Sequence, residues 1–221
     1  MRPIKFLFKL MVYFVLITLA WVGIYAIVPP PVTATMIMDE NGVTKDWTSF
    51  SDISPNMVRA VIAAEDGKFC SHDGFDTEAI QKAIKRNAEG GRIRGGSTIS
   101  QQTAKNAFLW QGGGFFRKGL EAYFTFLIET IWSKKRIMEV YLNLAETGIG
   151  TYGVQAGAQR YFKKDAKDLT RIEAARMAAA LPLPKKRAVN GASGFTARYG
   201  NTIAARINVV RNEGLDGCLY K

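Results

Sequence analysis

The sequence predicts an all-α protein in which one membrane-spanning helix precedes a single helical domain. Three observations predict it. Leu10 to Val28 is an unbroken uncharged run, LMVYFVLITLAWVGIYAIV, which at the helical rise matches a bilayer's hydrocarbon core. Beyond it, apolar residues recur at spacings of three and four over 55–66, 76–89, 98–109, 116–143, 152–161, 170–181 and 197–213. Glycine and proline clusters separate these segments, and alternating strand patterns are nearly absent.

Arg2, Lys5 and Lys9 precede the apolar run and no acid does, so the charge bias leaves the N-terminus in the cytoplasm and puts the rest outside. Pro29-Pro30-Pro31 makes a stiff exit. A cleavable signal peptide ending near Val32-Thr33-Ala34 is the competing reading; the apolar run is long for one, and either reading exports the domain. Residues 1–31 are thus the cytoplasmic N-terminus and anchor. Residues 32–53, β-branched and polar around Asn41-Gly42, form a connector with room for a short strand or hairpin. Ser54-Pro55 marks the first helix of the working domain, 54–221.

The chain of 221 residues carries 30 Lys and Arg against 19 Asp and Glu, a formal charge of +11, with every acid after Met38. The excess suits an anionic partner. Export demotes nucleic acid and favours lipid headgroups or a lipid-linked phosphate. Cys70 and Cys218 are too few for a disulfide framework and read as unrelated free thiols, although an oxidising compartment permits one bridge. With His72 the sole histidine, multi-histidine metal sites are excluded, and carboxylates must carry acid–base chemistry unless His72 does.

On helix 55–66 the large apolar residues 57, 58, 61 and 62 form a stripe whose next position is Glu65. A carboxylate there is desolvated, which raises its pKa and makes it a better base near neutrality; pairing with Arg59 or Lys68 is the structural alternative. Arg92 to Gln102 runs from a basic glycine loop into a helix capped by Thr98 with Gln101, so the free N–H groups and Arg92 and Arg94 suit phosphate. Phe108, Leu109, Trp110, Phe115 and Phe116 surround Gly112-Gly113-Gly114, a pattern that suits a flap at the membrane interface or an ordinary core contribution. Glu121 lies four residues after Arg117, and Glu139 four after Lys135, spacings for helical ion pairs. Small residues at 153, 156, 157 and 158 allow close backbone packing.

Taken together, five blocks resemble the peptidoglycan glycosyltransferase family, particularly its monofunctional membrane-anchored members. They are Glu65 to Gly74; Gly95 to Gln102 with Lys105-Asn106; Arg117 to Glu121; Lys134 to Asn143; and Gly150 to Phe162. The resemblance implies a lysozyme-like helical head with a smaller membrane-associated jaw at about 107–122. It implies polymerisation of lipid II onto a growing lipid-linked glycan strand, with inversion and release of polyprenyl pyrophosphate. Glu65 matches the general base and Glu121 the second carboxylate. Lys105 and Arg117 match pyrophosphate-binding positions. Asp66, Phe69, His72, Thr98, Gln102 and Asn106 match residues that line or brace the cleft.

The same resemblance implies no nucleic acid, no protein-bound metal site and no certain cofactor, with room for a divalent cation (Mg or Mn) at the substrate pyrophosphate. Cell-wall synthesis proteins are the implied protein partners. Gly157 departs from the family's usual alanine, and Cys70 occupies a variable position. Bifunctional relatives continue into a transpeptidase domain, so a chain ending at Lys221 is expected to cross-link nothing. A lytic glycosidase on the same scaffold, or a silent membrane-anchored scaffold, are the rival functions.

Overall fold

The computed structural model describes residues 2–88 and 96–220. The apolar run folds as α1 (Arg2–Tyr25), apolar enough over Pro3–Tyr25 to cross a membrane. After the prolines come a one-turn helix, α2 (Ala34–Ile37), and a two-residue strand, β1 (Thr44–Lys45). The connector therefore makes no hairpin at Asn41-Gly42. β1 pairs in parallel with β3 (Thr151–Tyr152), which pairs antiparallel with β2 (Glu146–Gly148), giving a sheet of order β1-β3-β2. A partner about 100 residues away, invisible to local pattern, turns the connector into part of the domain.

The helices are α3 (Pro55–Glu65), α4 (Thr77–Ala88), α5 (Ile99–Phe108), α6 (Gly114–Ile131), α7 (Lys134–Leu144), α8 (Val154–Phe162), α9 (Arg171–Ala180) and α10 (Gly194–Asn212). The segment expected as one helix over 116–143 is two. Trp132 is extended and Ser133 caps α7, its hydroxyl accepting from Arg136 N at 3.1 Å. Trp132 is buried and donates its indole N–H to Val22 O of α1 at 2.9 Å, so tertiary anchoring holds the break open.

α3 packs against α9 and α10, which also pack on each other, and α5 packs on α6 and α7. Met57, Val58, Val61 and Ile62 of α3, Ile99 of α5, and Ile137 and Met138 of α7 are completely buried, which fixes the elements that carry the cleft. Gly157 lets α8 approach its neighbours: a Cβ there would lie 2.7 Å from Met177 Cε and 2.8 Å from Thr147 Oγ1.

α1 is docked rather than tethered. Trp21 and Tyr25 join Phe108 and Phe124 in an aromatic cluster, and the Thr18 and Tyr123 hydroxyls are 2.7 Å apart. Arg136 donates to Tyr25 O and Val28 O, each at 2.9 Å, capping the last turn of α1. At the start of α6, Phe115 and Phe116 are exposed by 97% and 73%, so these aromatics contribute nothing to the core.

Cys70 and Cys218 form a disulfide, with Cα atoms 5.5 Å apart, against the expectation of free thiols. The 148 residues between them made the pairing unreadable. The turn after α10 folds back on α3, where Arg59 binds Asp216 at 2.7 Å, and this brings Cys218 to the turn that holds Cys70.

Candidate active site

Glu65 ends α3, where its carboxyl continues the helix's buried stripe. Neither expected cation neutralises it: Arg59 pairs with Asp216 and Lys68 with Glu78. Its hydrogen-bond donor is Gln102 of α5, 2.9 Å from Oε2. Burial pushes the Glu65 pKa up, and the Gln102 bond with the charges of Arg187 and Lys105 pulls only partly back. A carboxylate so held is a base poised closer to neutrality than an exposed one.

Asp66 is turned to a different use. It accepts from His72 Nε2 at 3.0 Å and from Ile99 N at 3.0 Å. The free N–H at the start of α5, which the capping box suggested for a phosphate, is thus filled by a carboxylate of this chain. Arg92 and Arg94, the cations of that reading, lie outside the described residues. His72 Nδ1 accepts from Gly74 N at 3.1 Å, which leaves the ring proton on Nε2 facing Asp66. Thr98 donates to Gly74 O at 2.7 Å, and buried Phe69 meets the His72 ring edge-on. Asp66, Phe69, His72 and Thr98 therefore form a brace that joins the end of α3 to the start of α5.

The second cluster lies on α6. Glu121 is 3% exposed and binds Arg117 Nη1 at 2.7 Å, one turn earlier, and also Lys118 Nζ. Gly113 makes this possible: its φ is +85°, and a Cβ there would lie 2.8 Å from Arg117 Cβ. Lys118 reaches Ser97 Oγ at 3.2 Å. Lys105, on α5, has its pKa lowered by burial and by the nearby Arg117 and Lys118, against the pull of Glu121. Three cations around one carboxylate leave an excess positive charge that suits an anionic ligand.

Two cavities border this arrangement. One of about 480 Å³ is lined by Gln102, Lys105, Asn106 and Tyr141; one of about 210 Å³ is lined by Glu65, Asp66 and Ser97. Glu65 and its partner Gln102 thus belong to different cavities, joined by their hydrogen bond.

The sequence model of the family described as Transglycosylase matches residues 32–211. The chain belongs to the transglycosylase family. A biosynthetic peptidoglycan transglycosylase of Caulobacter vibrioides is 51% identical over 199 residues, covering 89% of this chain and 87% of its own length. One of Mannheimia succiniciproducens is 53% identical over 182 residues, covering 78% and 75%. One of Escherichia coli is 49% identical over 202 residues, covering 86% and 84%.

For this transglycosylase-family chain, the ten residues that match family site positions all lie among the described residues, in the brace, the two cavities or the cation cluster. Sequence reasoning passed over Lys118 and Arg187. Lys118 had a signal, standing three residues before Glu121 and beside Arg117. Arg187 had none, because it reaches Glu65 from the turn after α9, 122 residues on in the chain. The expected Lys135–Glu139 pair is replaced by Arg136–Glu139, and Lys135 lies over the Phe50 ring.

Proposed function

We propose that the chain is a peptidoglycan glycosyltransferase of cell-wall synthesis that polymerises lipid-linked disaccharide-peptide, lipid II, into glycan strands. In this reading Glu65 takes the proton of the acceptor sugar's 4-hydroxyl as its oxygen attacks the donor's anomeric carbon. The bond from that carbon to the pyrophosphate oxygen breaks, polyprenyl pyrophosphate leaves, and a single displacement inverts the configuration. Lys105, Arg117 and Lys118 stabilise the charge that grows on the leaving pyrophosphate. Glu121 keeps Arg117 and Lys118 in place. The observation that carries the reading is a buried carboxyl with a raised pKa on one side and a three-cation cluster on the other, with a cavity bordering each. A lytic glycosidase has no use for that cluster.

A divalent cation held by the protein at the pyrophosphate would need Glu121, whose two carboxyl oxygens already bind Arg117 and Lys118. The residues present do not fit a metal. Arg2, Lys5 and Lys9 at the start of α1, ahead of the uncharged run, and the absence of acids there support an N-terminus in the cytoplasm and a catalytic domain on the outer face of the inner membrane. The exposed Phe115 and Phe116, on the helix against which α1 packs, support a jaw at 107–122 that dips into the interface. Purified full-length protein given lipid II in detergent should form polymer and release polyprenyl pyrophosphate. No polymer from lipid II but shortening of preformed glycan strands added in its place would favour lysis, and no reaction with either would favour a silent scaffold.

A further inference from the structure

The outer faces of α9 and α10 carry Arg171 and Arg176 on one helix and Arg198 and Arg206 on the other, all four exposed. Among the described residues, none of their guanidinium groups has an ion-pair or hydrogen-bond partner. The one acid on either helix, Glu173, is taken by Lys164 at 2.8 Å and by the Thr170 cap. The two helices pack on each other, and Gly200 of α10 lies against Arg176, whose Cα and Cγ would be 3.8 Å from a Cβ there. The arginines thus belong to one basic surface, and like charges gathered without acids repel each other until an anion relieves them.

The place of this surface in the fold says which anion. Arg198 adjoins Tyr199, whose hydroxyl donates to Ala64 O at 2.9 Å, one residue before Glu65. By their packing the helices follow the order α9 and α10, α3, α5, α6, so the arginines and the α6 cations lie at opposite ends, with Glu65 between. In the glycosyl transfer proposed above, on which this inference rests, the donor's pyrophosphate leaves its anomeric carbon towards α6. Joining 4-hydroxyls to anomeric carbons makes a glycan strand linked through C1 and C4, which lie across the ring from each other. Glycan already carried by the donor therefore leads away from α6. Each of its disaccharides bears a peptide, and each peptide ends in a carboxylate. We propose that Arg171, Arg176, Arg198 and Arg206 bind the peptide carboxylates of the growing glycan strand as it leaves the Glu65 end of the cleft. A guanidinium suits this partner because its paired N–H donors match the two oxygens of a carboxylate. Exposed pairs are individually weak, so the surface acts by number, holding a strand that offers a carboxylate at every repeat while letting it advance.

The test uses the full-length chain in detergent micelles and the Kd of fluorescent, peptide-bearing glycan strands freed of lipid and pyrophosphate, with polymer formation from lipid II followed in parallel. The unaltered protein should bind them on the order of tenfold tighter than the same strands with every carboxylate converted to the amide, and added salt should erase the difference. Arg171→Gln, Arg176→Gln, Arg198→Gln and Arg206→Gln combined should erase it too, at unchanged melting temperature, because these side chains hold no partner in the fold. The four corresponding Arg→Lys changes should keep part of it. Changing Lys82, Lys85, Lys163 and Lys167 to Gln removes the same charge elsewhere and should move Kd by less than about twofold. Equal affinity of the unaltered protein for both kinds of strand overturns the proposal, and so does an equal loss from the lysine set, which would mark net charge alone. A loss seen in the arginine variant with vesicles of anionic phospholipid but not with glycan strands overturns it in favour of a membrane surface. If the fourfold variant melts lower, the pairs Arg171 with Arg206 and Arg176 with Arg198, changed separately, decide by the same Kd. Strand binding without polymer formation sinks the proposed reaction and leaves the surface standing; polymer formation with no effect of the arginines on Kd does the reverse.

Discussion

Glu65 is held between two demands, since desolvation makes it a better base and also a cost to folding. Its folded-state pKa is raised, so the folded protein binds a proton more readily than the unfolded chain and stability falls as pH rises past the ordinary glutamate value of 4.5. Glu65→Gln should therefore melt at or above the wild-type temperature at neutral pH and show no difference below about pH 4. Its polymerisation should drop on the order of 100-fold, the scale for losing a positioned base. A variant that loses melting temperature and activity together would mark Glu65 as structural. For the wild type, the acid limb of the pH–rate profile should lie above the range of an exposed carboxylate. Lys105→Ala should reduce kcat by a factor equivalent to about 3 kcal/mol while leaving Tm nearly unchanged, because the cation acts on charge that develops in the transition state.

Two features are elements joined at a distance. The Cys70–Cys218 bridge ties the turn after α3 to the turn after α10, closing a loop of 148 residues. Cys218→Ser should lower stability by about 2–5 kcal/mol, read as a fall in Tm that a reducing agent reproduces in the wild type but not in the variant. Equal melting of oxidised and reduced wild type would show that the ion pair of Arg59 and Asp216 holds the turn unaided. Gly157→Ala tests the packing of α8 against α9. Overpacking against Met177 and Thr147 should lower stability by about 1–3 kcal/mol. Met177→Ala in the same chain should recover part of that loss, because the nearest obstacle is the end of a flexible side chain.

At the scale of the whole molecule, α1 and the domain share one aromatic cluster and a set of carbonyl contacts. Removing residues 1–28 would strip Trp132 of its acceptor, take two carbonyls from Arg136 and expose Phe108 and Phe124. The remaining domain keeps its own core, so it should fold with a lower Tm and bind detergent through the exposed cluster. Turnover on vesicle-borne lipid II should fall on the order of tenfold or more as effective concentration is lost. Full activity of the truncated chain in vesicles would reduce the anchor to a matter of address.

The helical class, the span of α1, the caps at Thr98 and Ser54, and the Arg117–Glu121 pair were legible because each depends on neighbours within a turn or two of helix. The desolvation of Glu65 was legible for the same reason, since a stripe of apolar positions predicts which face is buried. Contacts closed across the fold were not legible. Asp66 filling the start of α5, Arg187 near Glu65, the disulfide, the break at Trp132 and the strand that recruits the connector each join residues that periodicity treats as unrelated. Local chain stiffness and burial patterns act over a few residues and are written in their order, whereas these contacts depend on the three-dimensional path by which α3, α5, α6 and α10 pack. The sequence by itself determined which side chains are candidates for chemistry; packing decided which of them meet, and hence that Glu65 stays unpaired by a cation while Asp66 does not stay free.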